Sequence, residues 1–134
     1  MNDRIARILL VLSAVGAAVA VVSSAGAVAD AGPDTRMVET WRMLGLVVFT
    51  GVFLLLAYRP RRYAGIWELT ILNKLGLTVA GLSFGAGTTG ARDALVVDGV
   101  ITVILLVSYA LTRGWTAWRT HTEPPAIGAG GSPH

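Results

Sequence analysis

The chain has 134 residues, of which 54% are hydrophobic and only 14% charged, against roughly 25% charged in an average soluble domain. A soluble domain of this length leaves too much surface in water to hide so much apolar material, so lipid must be its solvent. The formal net charge of +3 would suit nucleic acid. The arginines instead flank hydrophobic segments, as membrane topology requires, and no nucleic-acid partner is expected.

In chain order, hydrophobic segments cover about 5–29, 38–58, 64–87 and 94–112. Each is close to the ~20 residues a helix needs to cross the hydrocarbon. Each is expected to be helical, because a lone strand would leave its backbone unpaired in lipid. The connections 30–37, 59–63 and 88–93 are short, so consecutive helices should be antiparallel and adjacent. Pro33 and Pro60 fall in two of them. The expected fold is therefore an all-α membrane protein, an antiparallel four-transmembrane-helix bundle over residues 1–112. Residues 113–134 are expected to be a cytoplasmic, mostly disordered tail, turning rich in Pro, Gly and Ser from 121 onward.

Residues 1–29 also carry the layout of a secretory signal. Two arginines precede an apolar core, and Ala27-Val28-Ala29 stands before Asp30 as a small-residue cleavage pattern. The apolar run exceeds the ~7–15 residues of a signal core, which favours a retained helix. Cleavage would leave three helices and the same orientation for the rest.

Loop charges set that orientation. Arg4 and Arg7, then Arg59, Arg61 and Arg62, then Arg113 and Arg119 lie on one side. Arg36 and Arg92 lie on the other, offset by Asp30, Asp34, Glu39 and Asp93. The positive-inside rule puts both termini and the middle loop in the cytoplasm. Tyr58, Tyr63, Trp67, Trp115 and Trp118 should form an aromatic belt at that interface, with Trp41 at the opposite one.

Small residues mark packing faces at the 3.6-residue period. Ser13, Ala17, Ala20 and Ser24 line one face of the first helix. Thr70, Thr78, Gly81 and Gly85 line one face of the third. Such faces let membrane helices approach closely.

Lys74 falls on the third helix's small and polar stripe, roughly 12 Å from its start. A charge inside the bilayer normally meets a partner or a cavity. Asp98, on a stripe with Thr102, Tyr109 and Thr112, and Arg42 enter from the opposite side at roughly 6 Å depth. An Arg42–Asp98 pair is level, a Lys74–Asp98 pair needs Lys74 to extend, and a three-way cluster of Arg42, Lys74 and Asp98 is the remaining option. These charges either set helix register or relay protons or ions. Glu68, beside Trp67 and near Arg61 and Arg62, reads as an interfacial salt bridge or as a cytoplasmic entry carboxylate for protons.

The sequence contains no cysteine, which removes disulfides, thiol redox chemistry and thiolate metal sites. His121 and His134 lie in the tail, no nucleophile stands beside a base, and no catalytic, metal or cofactor motif is found. The Gly-rich run 81–90 lacks the Lys-Ser/Thr of a phosphate loop.

The block Tyr58-Arg-Pro-Arg-Arg-Tyr63, then Trp67-Glu68, Asn73-Lys74-Leu75 and Val97-Asp98-Gly99 resembles small bacterial four-helix membrane proteins of the DoxX-like group, over about 39–118. The Ala-, Val-, Gly- and Arg-rich composition is similar to that of actinobacterial proteins. The resemblance implies a membrane bundle in the bacterial inner (plasma) membrane and an accessory role; it carries over no catalytic residue. The expected function is a non-enzymatic accessory or assembly component, partnered by the lipid bilayer and by another membrane protein or a second copy. The alternative is a small transporter or proton- or ion-coupled subunit using Lys74 and Asp98. A membrane-embedded oxidoreductase is disfavoured by the missing Cys and membrane-embedded His.

Overall fold

The computed structural model describes residues 2–85 and 87–121. Among them every regular element is helical and no strand occurs. The long helices are α1 (Asn2–Asp30), α2 (Arg36–Tyr58), α3 (Ile66–Phe84) and α4 (Ala91–Thr112). A π-helical turn, Ala94–Asp98, interrupts α4. The apolar runs carry no internal proline, and α3 and α4 each start after a glycine in the left-handed region, Gly65 and Gly90.

Three helices, α1, α2 and α4, are long and apolar enough to cross a membrane. Four such segments are expected, and three of them meet this measure; α3 does not. Glu68, Asn73 and Lys74 lie within its 19 residues, and their polarity lowers its mean hydropathy although its length is adequate.

The helices pair antiparallel. Near the start of α1, Arg7 Nε donates to the Ala57 carbonyl near the end of α2, at 3.2 Å. Near the start of α3, Glu68 accepts a 2.7 Å hydrogen bond from Tyr109 near the end of α4. α1 packs against α2 and α4, and α3 against α4, whereas α2 and α3 approach each other only sparsely. The expected adjacency of consecutive helices therefore holds for α1–α2 and α3–α4 and weakens at α2–α3. Small residues explain it: Ala6, Ser13, Ala14 and Ala17 on the buried face of α1 let its backbone come close to its neighbours. Between α2 and α3 stand the Phe49 ring and the Lys74 side chain, in contact at 4.1 Å.

The core gathers Leu10, Ala14 and Ala17 of α1, Phe53, Leu56 and Ala57 of α2, Trp67 of α3 and Leu105 of α4. Outside it the helices present large apolar side chains, among them Val15, Val22, Trp41, Val48, Leu72, Leu82 and Val103. An apolar exterior this extensive marks a membrane-facing surface rather than a wet one.

The described start of the expected tail is helical. Gly114–His121 forms a 3-10 helix that returns to the start of α3, where the Trp118 ring lies against Gly65. Residues 122–134, including His134, lie outside the described residues. Gly85, expected on the α3 stripe, caps the end of that helix instead.

Candidate functional site: a buried ion pair between α3 and α4

On α3 the buried positions are Trp67, Thr70, Lys74 and Gly81, a single stripe. On α4 they are Ala91, Thr102, Leu105, Ser108 and Thr112. Where the two faces meet, Lys74 Nζ lies 2.7 Å from Asp98 Oδ1, with side-chain exposures of 7% and 14%. These low values put the pair inside the protein, where salt and water screen it little. The ammonium also lies over the Phe49 ring of α2, 4.1 Å from its centroid, a geometry in which the ring's negative face attracts the cation. Lys74 therefore ties α3 to both α4 and α2.

The π turn decides where Asp98 points. Asp98 is the last residue of that turn, and each π turn adds a residue and shifts the phase of the helix beyond it. The widened backbone needs room, and α3 provides it at Gly81. A Cβ there would lie 2.7 Å from the Ala91 carbonyl oxygen and 2.9 Å from the Leu95 nitrogen. Only glycine fits against backbone at that distance.

Hydroxyl groups on the stripes bond within their own helices. Thr70 donates to the Ile66 carbonyl, Thr78 to Lys74, Thr102 to Asp98 and Thr112 to Ser108. This satisfies them in an environment without water. Ser108 Oγ is buried with no hydrogen-bond partner among the described residues.

Arg42 is not part of this cluster. Its guanidinium is 3.8 Å from Asp93, and both side chains are largely exposed. The expected Arg42–Asp98 pair and the three-way cluster are thus replaced by Arg42–Asp93 and Lys74–Asp98. The reason is geometric: Asp93 precedes the π turn near the open end of α4, whereas Asp98 closes the turn facing α3.

Glu68 makes no salt bridge to Arg61 or Arg62. Its Oε1 accepts from the Tyr109 hydroxyl at 2.7 Å and from Trp118 Nε1 at 3.1 Å. The Tyr109 ring packs between Trp67, tilted at 55°, and Trp115, edge-on at 74°, with centroid distances of 5.7 and 5.6 Å. Arg61 turns elsewhere: its Nη2 meets both Asp3 carboxylate oxygens at 2.9 and 2.8 Å, and its Nε donates to the Thr112 carbonyl. It thereby clasps the start of α1 to the end of α4 and sets a cation against that helix's negative terminus.

Sequence reasoning reached Lys74, Asp98 and Glu68 but missed Phe49, Gly81's backbone contact and the π turn. Gly81 was visible as part of a Gly81-x-x-x-Gly85 pair; no residue pattern announces the π turn. Among the described residues no group of three or more His, Cys, Asp or Glu is placed to hold a metal. No family model, no curated protein and no solved structure matches this chain.

Proposed function

We propose that the chain is a multi-pass protein of the bacterial plasma membrane that acts as a non-enzymatic accessory or assembly component for another membrane protein. In this reading α3 is a fourth crossing, its 19 residues spanning about 28 Å against ~30 Å of hydrocarbon. Both termini lie in the cytoplasm, at the arginine-rich end. Residues 1–29 stay attached, because removing α1 would uncover Phe53, Leu56 and Leu105 of the shared core.

The observation that carries the reading is the closed ion pair between α3 and α4 in the interior. Lys74 and Asp98 bind each other, and the threonines bind their own helices. The interior thus holds the helices together and leaves the apolar exterior as the working surface. The test is extraction in mild detergent followed by mass spectrometry of co-purifying proteins. A recurring membrane-protein companion supports the reading; a chain that always purifies alone overturns it.

One observation favours a second reading, a proton- or ion-coupled subunit. Lys74 and Asp98 form an ion pair inside the protein, with side-chain exposures of 7% and 14%, and ionisable residues so placed in membrane proteins mark proton and ion pathways. Liposome flux measurements decide. Flux that is present in the native chain and lost in a well-folded Asp98→Asn variant would establish this reading, and absence of flux in the native chain removes it.

A further inference from the structure

The arginine-rich end carries a depression of about 600 Å³ lined by Asn2, Asp3, Arg61, Leu111, Arg113 and Thr116. It lies where the start of α1, the α2–α3 connection and the end of α4 converge. Three of its features bear on what it holds. The charge of Asp3 is already met by Arg61 Nη2, which leaves Arg61 Nη1 free to donate. Arg113 has no side-chain partner among the described residues and is exposed. It also stands at the left-handed position that ends α4, with φ 51°, a place usually taken by Gly or Asn. Leu111 supplies an apolar wall next to these cations, and the exposed rings of Tyr58, Trp115 and Trp118 mark the level of the lipid head groups.

We infer that this depression binds the phosphodiester head group of an anionic phospholipid, with Arg61 and Arg113 on the phosphate and Leu111 along the start of an acyl chain. Arg113 offers a whole guanidinium fork that matches phosphate oxygens in geometry as well as in charge, and Arg61, whose Nε and Nη2 are engaged by Thr112 and Asp3, adds its Nη1 donors. Basic pockets between membrane helices at the cytoplasmic surface are suited to such head groups. Thr116, on the 3-10 segment, lines the other wall, so an occupied depression also fastens that segment to the bundle.

The inference rests on the membrane reading, and the two fail differently. A chain that stays dissolved without detergent or lipid would sink the membrane reading itself. The test of the site is native mass spectrometry of the full chain in mild detergent, titrated with dioleoyl phosphatidylglycerol, dioleoyl phosphatidylcholine or sodium phosphate. One phosphatidylglycerol should bind ahead of phosphatidylcholine and resist displacement by phosphate. Arg113→Gly suits the left-handed backbone and should fold, yet weaken that binding about fivefold, the effect of one basic residue at a membrane surface. Arg92→Gln, at the opposite end, should leave it unchanged. Equal binding of the two lipids, or equal loss in Arg92→Gln, would overturn the site. Displacement by inorganic phosphate would overturn the lipid assignment in favour of a free-phosphate site.

Discussion

Lys74 and Asp98 meet at 2.7 Å across the α3–α4 interface, the carboxylate at the end of the π turn and the ammonium over the Phe49 ring. A lone charge at the centre of a membrane helix costs at least about 2.5–3.5 kcal/mol on the mildest scale. Each member of the pair removes that cost for the other, so both survive in an apolar interior.

Breaking one side of the pair should therefore hurt more than removing both. Asp98→Ala leaves the ammonium buried without an anion and should lower stability by about 3–5 kcal/mol. The double variant Lys74→Met, Asp98→Leu should recover most of that loss. Denaturation in mixed detergent micelles, monitored through helix content, checks both; a double variant as unstable as Asp98→Ala would contradict this pairing.

Gly81 makes a second test of the same interface. In Gly81→Ala the added methyl meets the Ala91 oxygen and Leu95 nitrogen at 2.7 and 2.9 Å, and backbone cannot yield as a side chain can. A loss of about 1–3 kcal/mol is expected, as for an overpacked core. Gly76→Ala faces open space and should stabilise by up to about 1 kcal/mol. Equal behaviour of the two variants would mean that α3 does not approach α4 as closely as these distances require.

Tyr109 joins α4 to Glu68 and packs between Trp67 and Trp115. Tyr109→Phe keeps the ring and removes the donor, for an expected loss of about 0.5–1.5 kcal/mol. The 3-10 segment should loosen with it, seen as faster proteolysis after Thr112 and altered tryptophan emission. Unchanged proteolysis would show that ring packing alone holds the segment.

Topology can be read cleanly because the chain has no cysteine of its own. Thr35→Cys and Thr89→Cys should react with a membrane-impermeant maleimide in intact cells. Arg62→Cys should react only after the cells are opened. Labelling of Thr35→Cys but not Thr89→Cys would contradict α3 as a crossing.

Hydrophobicity accumulates along the chain, so the helical class and the three helices long and apolar enough to cross a membrane were legible from the residues alone, whereas α3, expected as a fourth, falls short of that measure. The buried stripe of Thr70, Lys74 and Gly81 was legible too, since it depends only on helical period. Which charges would meet was not. Periodicity assigns a face within one helix but not the rotation between helices, and the π turn resets that rotation in α4 just before its decisive residue. Only the tertiary structure directed Asp98 to Lys74, left Arg42 with Asp93, and turned Glu68 from the arginines toward Tyr109 and Trp118. Each of those choices is a contact between residues far apart in sequence, which the periodicity of a single helix cannot set.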